Sequence, residues 1–314
     1  MKKTLTIIGK VLICLVAAIL ALVLLIFGGL NAAKYLIYSE YYSMTSNLCL
    51  NPGLNDNFTC QGICYSDIYD RIFVSGYMSD DTPSRIYVTD RESNSYYVTL
   101  TLDGKEFFGH CGGIAVYGDN VYLANDSKIH VISTDLLANS KNGDTVEIGN
   151  GIAVNSAASF AYADEKYLYV GEFHDGKNYF TDHPYETPDG TYYAIVSRYS
   201  HNDLEHPEKI YSIRNKVQGI CFTPDGKVVL STSYGLTDSV YYVYNEDEAI
   251  DSGLTLDGAP LYYLTEYVNE VKGPAMSEGL AYLDGRVITL TESACNKYIF
   301  GKFFFANKIV SIGF

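Results

Sequence analysis

Hydrophobic positions follow two different rhythms along this chain. From residue 11 to residue 30 they are continuous and uncharged, after an opening Met1-Lys2-Lys3 and an interrupting Lys10. Twenty such residues, at a helical rise of about 1.5 Å each, span about 30 Å, the thickness of a bilayer core. The run therefore predicts one transmembrane helix. Beyond residue 58 the apolar residues come in short Val-, Ile-, Tyr- and Leu-rich runs broken by Gly, Asn, Asp and Pro. That is the pattern of β-strands and turns, and no long amphipathic helical period interrupts it.

Five of the short runs share one plan. Gln61-Gly62-Ile63-Cys64, Gly112-Gly113-Ile114-Ala115, Asn150-Gly151-Ile152-Ala153, Gln218-Gly219-Ile220-Cys221 and Glu278-Gly279-Leu280-Ala281 each read Gly, a branched residue, then a small one. A second β-rich run follows each, at residues 71–74, 120–124, 166–170, 227–231 and 286–290, then a third at 84–88, 127–132, 192–197, 239–244 and 308–312. Glycine beside a branched and a small residue suits an inner strand crowded against its own copies. The pattern predicts an all-β, five-bladed β-propeller behind an N-terminal transmembrane helix. The spacing between repeats is irregular, so the blades carry different insertions. A two-sheet sandwich is one alternative. A six-bladed propeller is the other, its extra blade drawn from residues 192–199 and 209–213.

This reading divides the chain into a cytoplasmic tail (1–10), a membrane anchor (11–30), a stalk (31–58) and the propeller (59–314). The fifth repeat stops after three strands, so the segment 41–50 is the candidate fourth strand that closes the circle. Lysines on the N-terminal side of the span place that end in the cytoplasm and the C-terminal domain outside it. The apolar run is long for a signal peptide and no Ala-x-Ala site follows, which favours an uncleaved single-pass anchor at the cell membrane over a cleaved signal.

Composition sharpens the picture. There are 30 Tyr and no Trp, and tyrosine suits half-buried strands with its hydroxyl left wet. Net charge is −15; the four lysines before residue 35 contribute +4 with no acid beside them, so the remainder carries −19. Such a surface repels phosphate backbones, which argues against nucleic acid as a partner. Of the seven cysteines, Cys64 and Cys221 occupy the small position of the repeat and read as core. Cys49 with Cys60, and Cys111 with Cys295, are candidate disulfides in an exported chain.

In a propeller the first two strands of a blade are antiparallel, so the residues before the first and after the second face the same mouth of the channel. One ring is then Gln61, Gly112, Asn150, Gln218 and Glu278, with His110 just ahead of Gly112. The other is Tyr77, Asp126, Glu172, Ser233 and Glu292. Gln61, His110, Asn150, Gln218 and Ser233 are the candidate ligand-binding residues. Asp126, Glu172, Glu278 and Glu292 are candidate metal ligands, hard oxygen donors that suit Ca²⁺. Solvated polar loops alone would give the same composition. The hydroxyl-rich segments Ser231-Thr232-Ser233-Tyr234-Gly235 and Thr291-Glu292-Ser293 add turn or ligand chemistry at the same mouth. The long insertion 174–192, with two His, three Tyr and two Pro, is a surface loop of the third repeat.

On these Gly-Ile/Leu-small repeats and the Pro224-Asp225-Gly226-Lys227-Val228 turn, the chain from about residue 60 to 314 resembles the propeller group of NHL-repeat, YncE-like and SMP-30/gluconolactonase-like proteins, and segments 217–235 and 276–298 look like exported bacterial propellers. In the SMP-30-like enzymes a Glu-Gly dipeptide supplies a divalent-metal ligand. The resemblance carries that role to Glu278, with Asn150 and Asp126 as companions by ring position. The match departs from the family in lying in the last repeat, in the Leu that follows, and in five blades rather than six. The expected function is a membrane-tethered binding module that takes a small molecule or a cell-surface protein at its mouth. The alternative is a metal-dependent hydrolase of the lactonase or esterase type.

Overall fold

The computed structural model describes residues 2–314. Five antiparallel sheets stand around one axis, each built from successive strands running outward. Blade one comprises Phe58–Ser66, Arg71–Met78, Arg85–Thr89 and Ser95–Leu102. Blade two is Gly113–Tyr117, Asn120–Asn125, Lys128–Ser133 and a short Ile152–Ala153. Blade three is Phe160–Ala163, Tyr167–Gly171, Ala194–Ser200 and Lys209–Ile213. Blade four is Val217–Phe222, Lys227–Thr232, Ser239–Asn245 and Tyr267–Gly273. Blade five is Ser277–Leu283, Arg286–Thr291 and Lys308–Ile312, completed by Thr45–Leu50. Runs 194–200 and 209–213 are outer strands of blade three, so the count is five and the six-bladed alternative falls.

Glycine is needed on the inner strands because neighbouring backbones almost touch there. A Cβ on Gly62 would sit 2.6 Å from the Ile114 nitrogen, one on Gly219 2.8 Å from the Leu280 nitrogen, and one on Gly279 2.9 Å from the Ile63 nitrogen. Gly113 abuts the Phe160 and Ala161 backbone in the same way. Short hydroxyls brace the contacts: Ser75 donates to the Cys111 carbonyl at 2.9 Å and Ser231 to the Glu278 carbonyl at 2.7 Å. Buried aliphatics of adjacent sheets fill the wedges between blades, with rings added where the wedge widens, such as Tyr169 stacked on Phe222 at 4.0 Å.

The third repeat departs from the expected plan. Ile152–Ala153 pairs with Lys128–Ser133 as the outer edge of blade two, and the inner strand of blade three is Phe160–Ala163. A chain leaving an outer strand must cross back to the axis before the next blade begins, and residues 154–159 make that crossing. Ala161 takes the small-residue role there, so the glycine-first signature is absent where it was expected.

Two edges are elaborated. Asp144–Glu147 adds parallel to the outside of blade one. The hairpin Ile250–Leu256/Ala259–Tyr263, which grows from blade four, adds parallel to the outside of blade three. Both cover strand edges that would otherwise be open to pairing with other chains.

Helix α1 (Lys2–Ile37) contains the apolar span, Thr6–Ile37, whose most apolar stretch is exposed and whose last turns meet the protein, with Lys34 buried. A short helix α2 (Ser39–Met44) turns the chain inward, and Tyr41 stacks on Tyr241 of blade four at 5.7 Å. Thr45–Leu50 then pairs antiparallel with Lys308–Ile312, joining the first part of the propeller to the last. Residues 31–50, read from the sequence as a stalk with a candidate strand, are thus helix, helix and closing strand. All seven cysteines are free thiols, so neither candidate disulfide is formed. Cys60 instead donates to the Thr291 carbonyl at 3.5 Å and accepts from the Asn51 amide at 3.1 Å.

Candidate functional site

The mouth at which first strands begin and second strands end holds a cleft of about 740 Å³. Every blade contributes to it. Gln61 and Tyr77 come from blade one, His110, Asn125 and Asp126 from blade two, and Ser159 and Phe173 from blade three. Gln218, Ser233 and Tyr234 come from blade four, and Glu292, Lys297 and Tyr298 from blade five. Tyr179 and Phe180 of the long insertion form one wall.

A hydrogen-bonded chain crosses the cleft. His110 Nε2 lies 2.8 Å from Gln61 Oε1, and Gln61 Nε2 lies 2.9 Å from Glu292 Oε2 and 2.9 Å from the Cys60 carbonyl. Because the amide nitrogen faces two acceptors, its oxygen faces the imidazole. That orientation makes His110 Nε2 a donor and leaves Nδ1 as the ring's acceptor. The His110 ring stacks on Tyr77 at 4.6 Å. Protein packed around its recess, and then the Lys297 ammonium, hold His110 below the usual imidazole range although one side stays open to cleft water; Asp126 opposes them more weakly. Lys297 donates to the Tyr77 hydroxyl and lies over the Tyr77 and Tyr298 rings at 4.5 and 5.2 Å.

Glu278 lies beneath the floor, 98% buried, and accepts from Gln218 Nε2 at 3.4 Å. Burial, then the Glu292 charge and the Cys295 thiol, push its pKa well above the carboxylate range. Burial likewise moves Glu292 up to about 7, against the opposing pull of Lys297 and hydrogen bonds from Gln61 and Tyr298. The two carboxyls repel each other when both are charged, so the more deeply buried Glu278 keeps its proton and Glu292 titrates first. A ring acceptor and a carboxyl that ionises near neutrality, tied to one amide, can trade a proton or hydrogen bonds with a bound molecule.

Of the residues singled out from the sequence, Gln61, His110, Gln218, Ser233, Asp126 and Glu292 line this cleft, with Glu278 just below. Asn150 does not join them. It is exposed, and it precedes the outer strand of blade two rather than an inner strand. Glu172 is turned away into blade three, where its carboxylate accepts from the Ala157 nitrogen at 3.0 Å and meets His183 Nδ1 at 2.9 Å. The four carboxylates therefore do not converge as a calcium cage. Among the described residues no group of three His, Cys, Asp or Glu side chains is placed to hold a metal ion. Asn125, Lys297, Tyr298, Tyr179 and Phe180 were missed from sequence. The signal available for them was the length and aromatic content of the segments 174–192 and 292–307, the two longest connections at this mouth.

The fold and this cleft define a five-bladed β-propeller with a polar mouth site and an apolar N-terminal helix. No protein-family model and no curated protein sequence matches the chain. Solved structures resemble it at the level of fold. Glutaminyl cyclase from Myxococcus xanthus aligns at 10% identity and TM-score 0.44 over 78% of this chain and 90% of that one. The WD40 β-propeller domain of Doa1 aligns at 9% identity and TM-score 0.42 over 78% and 79%. Hydrazine synthase from Kuenenia stuttgartiensis aligns at 12% identity and TM-score 0.39 over 74% of this chain, which spans 55% of that protein.

Proposed function

We propose that this protein is a membrane-tethered, extracytoplasmic propeller that binds a small polar molecule in its mouth cleft. The observation that carries the reading is the convergence of all five blades on one concave site of about 740 Å³, within the roughly 300–1,000 Å³ usual for small-ligand pockets. Amides from Gln61 and Gln218, the His110 ring, the Glu292 carboxyl and the Ser233 hydroxyl offer directional hydrogen bonds. Tyr77, Tyr179, Tyr234 and Tyr298 offer flat apolar faces. A molecule with a polar rim and a ring face satisfies both. Lysines 2, 3 and 10 ahead of the apolar span support a cytoplasmic N-terminus, which puts the propeller on the other side.

The test is a thermal-shift screen of the full chain in detergent against small polar metabolites. A true ligand raises the melting temperature by mass action, and the increase disappears in both Gln61→Leu and Gln218→Leu. Ligands whose effect survives both substitutions would place binding elsewhere and refute the cleft. EDTA and added Ca²⁺ are run alongside, and a shift with either would revive the metal-dependent hydrolase.

A further inference from the structure

The end of α1 is not a free tether; it is clamped to the blade-five loop that walls the cleft. Asn31 Nδ2 donates to the Lys302 carbonyl at 3.1 Å, and its Oδ1 accepts from the Phe305 nitrogen at 3.0 Å. Lys34 adds a bond to the Phe305 carbonyl. One helical turn before Asn31, Phe27 packs on Phe303 with ring centroids 6.4 Å apart, and Phe303 in turn stacks on Phe300 at 6.1 Å. Phe27 belongs to the uninterrupted apolar run, about 5 Å from its end at the helical rise. A side chain that packs on Phe27 therefore sits at the depth of the last apolar turn. The same loop leaves Ile299 73% and Phe300 63% exposed.

We propose that residues 299–304 dip into the interface of the bilayer that α1 crosses, with Ile299, Phe300 and Phe303 as the inserted side chains, so that the cleft opens at the membrane surface. The inference rests on α1 being a membrane span, as proposed above. Continuity with α1 identifies lipid as the occupant of this patch, because an apolar side chain level with a spanning helix has hydrocarbon beside it. The attraction is apolar rather than electrostatic: the chain outside the first 34 residues carries −19, which disfavours anionic lipid, and the loop supplies only Lys297 and Lys302. Lys297 and Tyr298 link the inserted segment directly to the cleft wall. A ligand would thus be met at the lipid–water boundary.

The chain has no tryptophan, so one introduced at a time reports its own surroundings. The full chain is reconstituted into phosphatidylcholine vesicles in two sets, with acyl chains brominated near the glycerol end to report the interface at position 300, or near the chain terminus to report the bilayer centre at position 20. Three variants are compared: Leu20→Trp within α1, Phe300→Trp in the loop, and Ile68→Trp at the opposite end of the propeller. Bromine quenching of at least twofold is expected at positions 20 and 300 but not at 68, with iodide quenching in the reverse order. Quenching at 20 with an iodide-accessible 300 overturns the insertion and leaves the anchor standing. Absence of quenching at 20 overturns the anchor and the insertion with it. Ile299→Trp is read in the same way should Phe300→Trp fail to fold.

Discussion

Gln61 of blade one reaches across the channel mouth so that its Nε2 lies 2.9 Å from Oε2 of Glu292 in blade five. The bond favours the charged carboxylate, yet burial dominates and leaves Glu292 titrating at about 7. The native state then holds a proton that the unfolded state, with a carboxyl near 4.5, has released between those values. Stability should fall as pH rises from about 4.5 to 7, by up to about 3 kcal/mol from this group. Glu292→Gln is expected to reduce that slope in melting curves taken from pH 4.5 to 8, the still-protonated Glu278 supplying what remains. Gln61→Leu, which removes a bond to the carboxylate, is expected to extend the slope to higher pH.

The inner ring makes a sharp prediction about two glycines of the same sequence motif. Gly113→Ala drives a methyl into the Phe160–Ala161 backbone, whereas at Gly151 it meets side chains alone, Cδ and Cβ of Lys128 at 2.6 and 2.9 Å and Cε1 of His130 at 2.9 Å, which yield more readily than backbone. The first should destabilise by about 1–3 kcal/mol or more and the second by clearly less. Equal losses in chemical denaturation would restore Gly151 to an inner strand.

Arg286 fastens the seam where the circle closes. Its guanidinium donates to the Met44 carbonyl at 2.5 Å, to Ser311 Oγ at 3.1 Å and to the Ser311 carbonyl at 3.3 Å. Arg286→Ala should cost about 1.5–3 kcal/mol, the range for hydrogen bonds to a charged group. Hydrogen exchange should then show faster opening of Thr45–Leu50 than of the blade-three strands.

The insertion 174–192 is pinned by His183 on Glu172. The hydrogen bond to Glu172 raises the His183 pKa above the ordinary imidazole value, against the cost of burial. A raised histidine gives stability that is complete below the unfolded value of about 6.5 and is lost as pH climbs through the folded value. Relative to His183→Asn at each pH, the native loop should be more resistant to proteolysis at pH 6 and should lose that advantage by pH 8.5. A pH-independent ratio would show that the pairing does not hold the loop.

The site was partly legible before any coordinates. Antiparallel geometry alone put Gln61, His110, Gln218, Ser233, Asp126 and Glu292 at one mouth, because position relative to strand ends is a local property. It misjudged Glu172 and Asn150 for different reasons: Glu172 follows the second strand as expected but its carboxylate turns to the Ala157 nitrogen and His183, whereas Asn150 was read onto the wrong strand. Which strand of blade three lies innermost depends on the neighbour, since the Gly112-Gly113 backbone is closed off by Ser159–Ala161 and not by Gly151.

By itself the sequence determined what short-range chemistry can encode: an apolar span long enough for a bilayer, the period-two strands, and glycines where backbones must nearly touch. Only tertiary structure decided what depends on distant segments meeting. The helix end clamps to a loop some 270 residues later, a blade-four hairpin pairs with blade three, and Glu292 meets an amide 231 residues away. Those contacts leave no local periodicity, because each depends on a partner that the chain brings near only after the circle has closed.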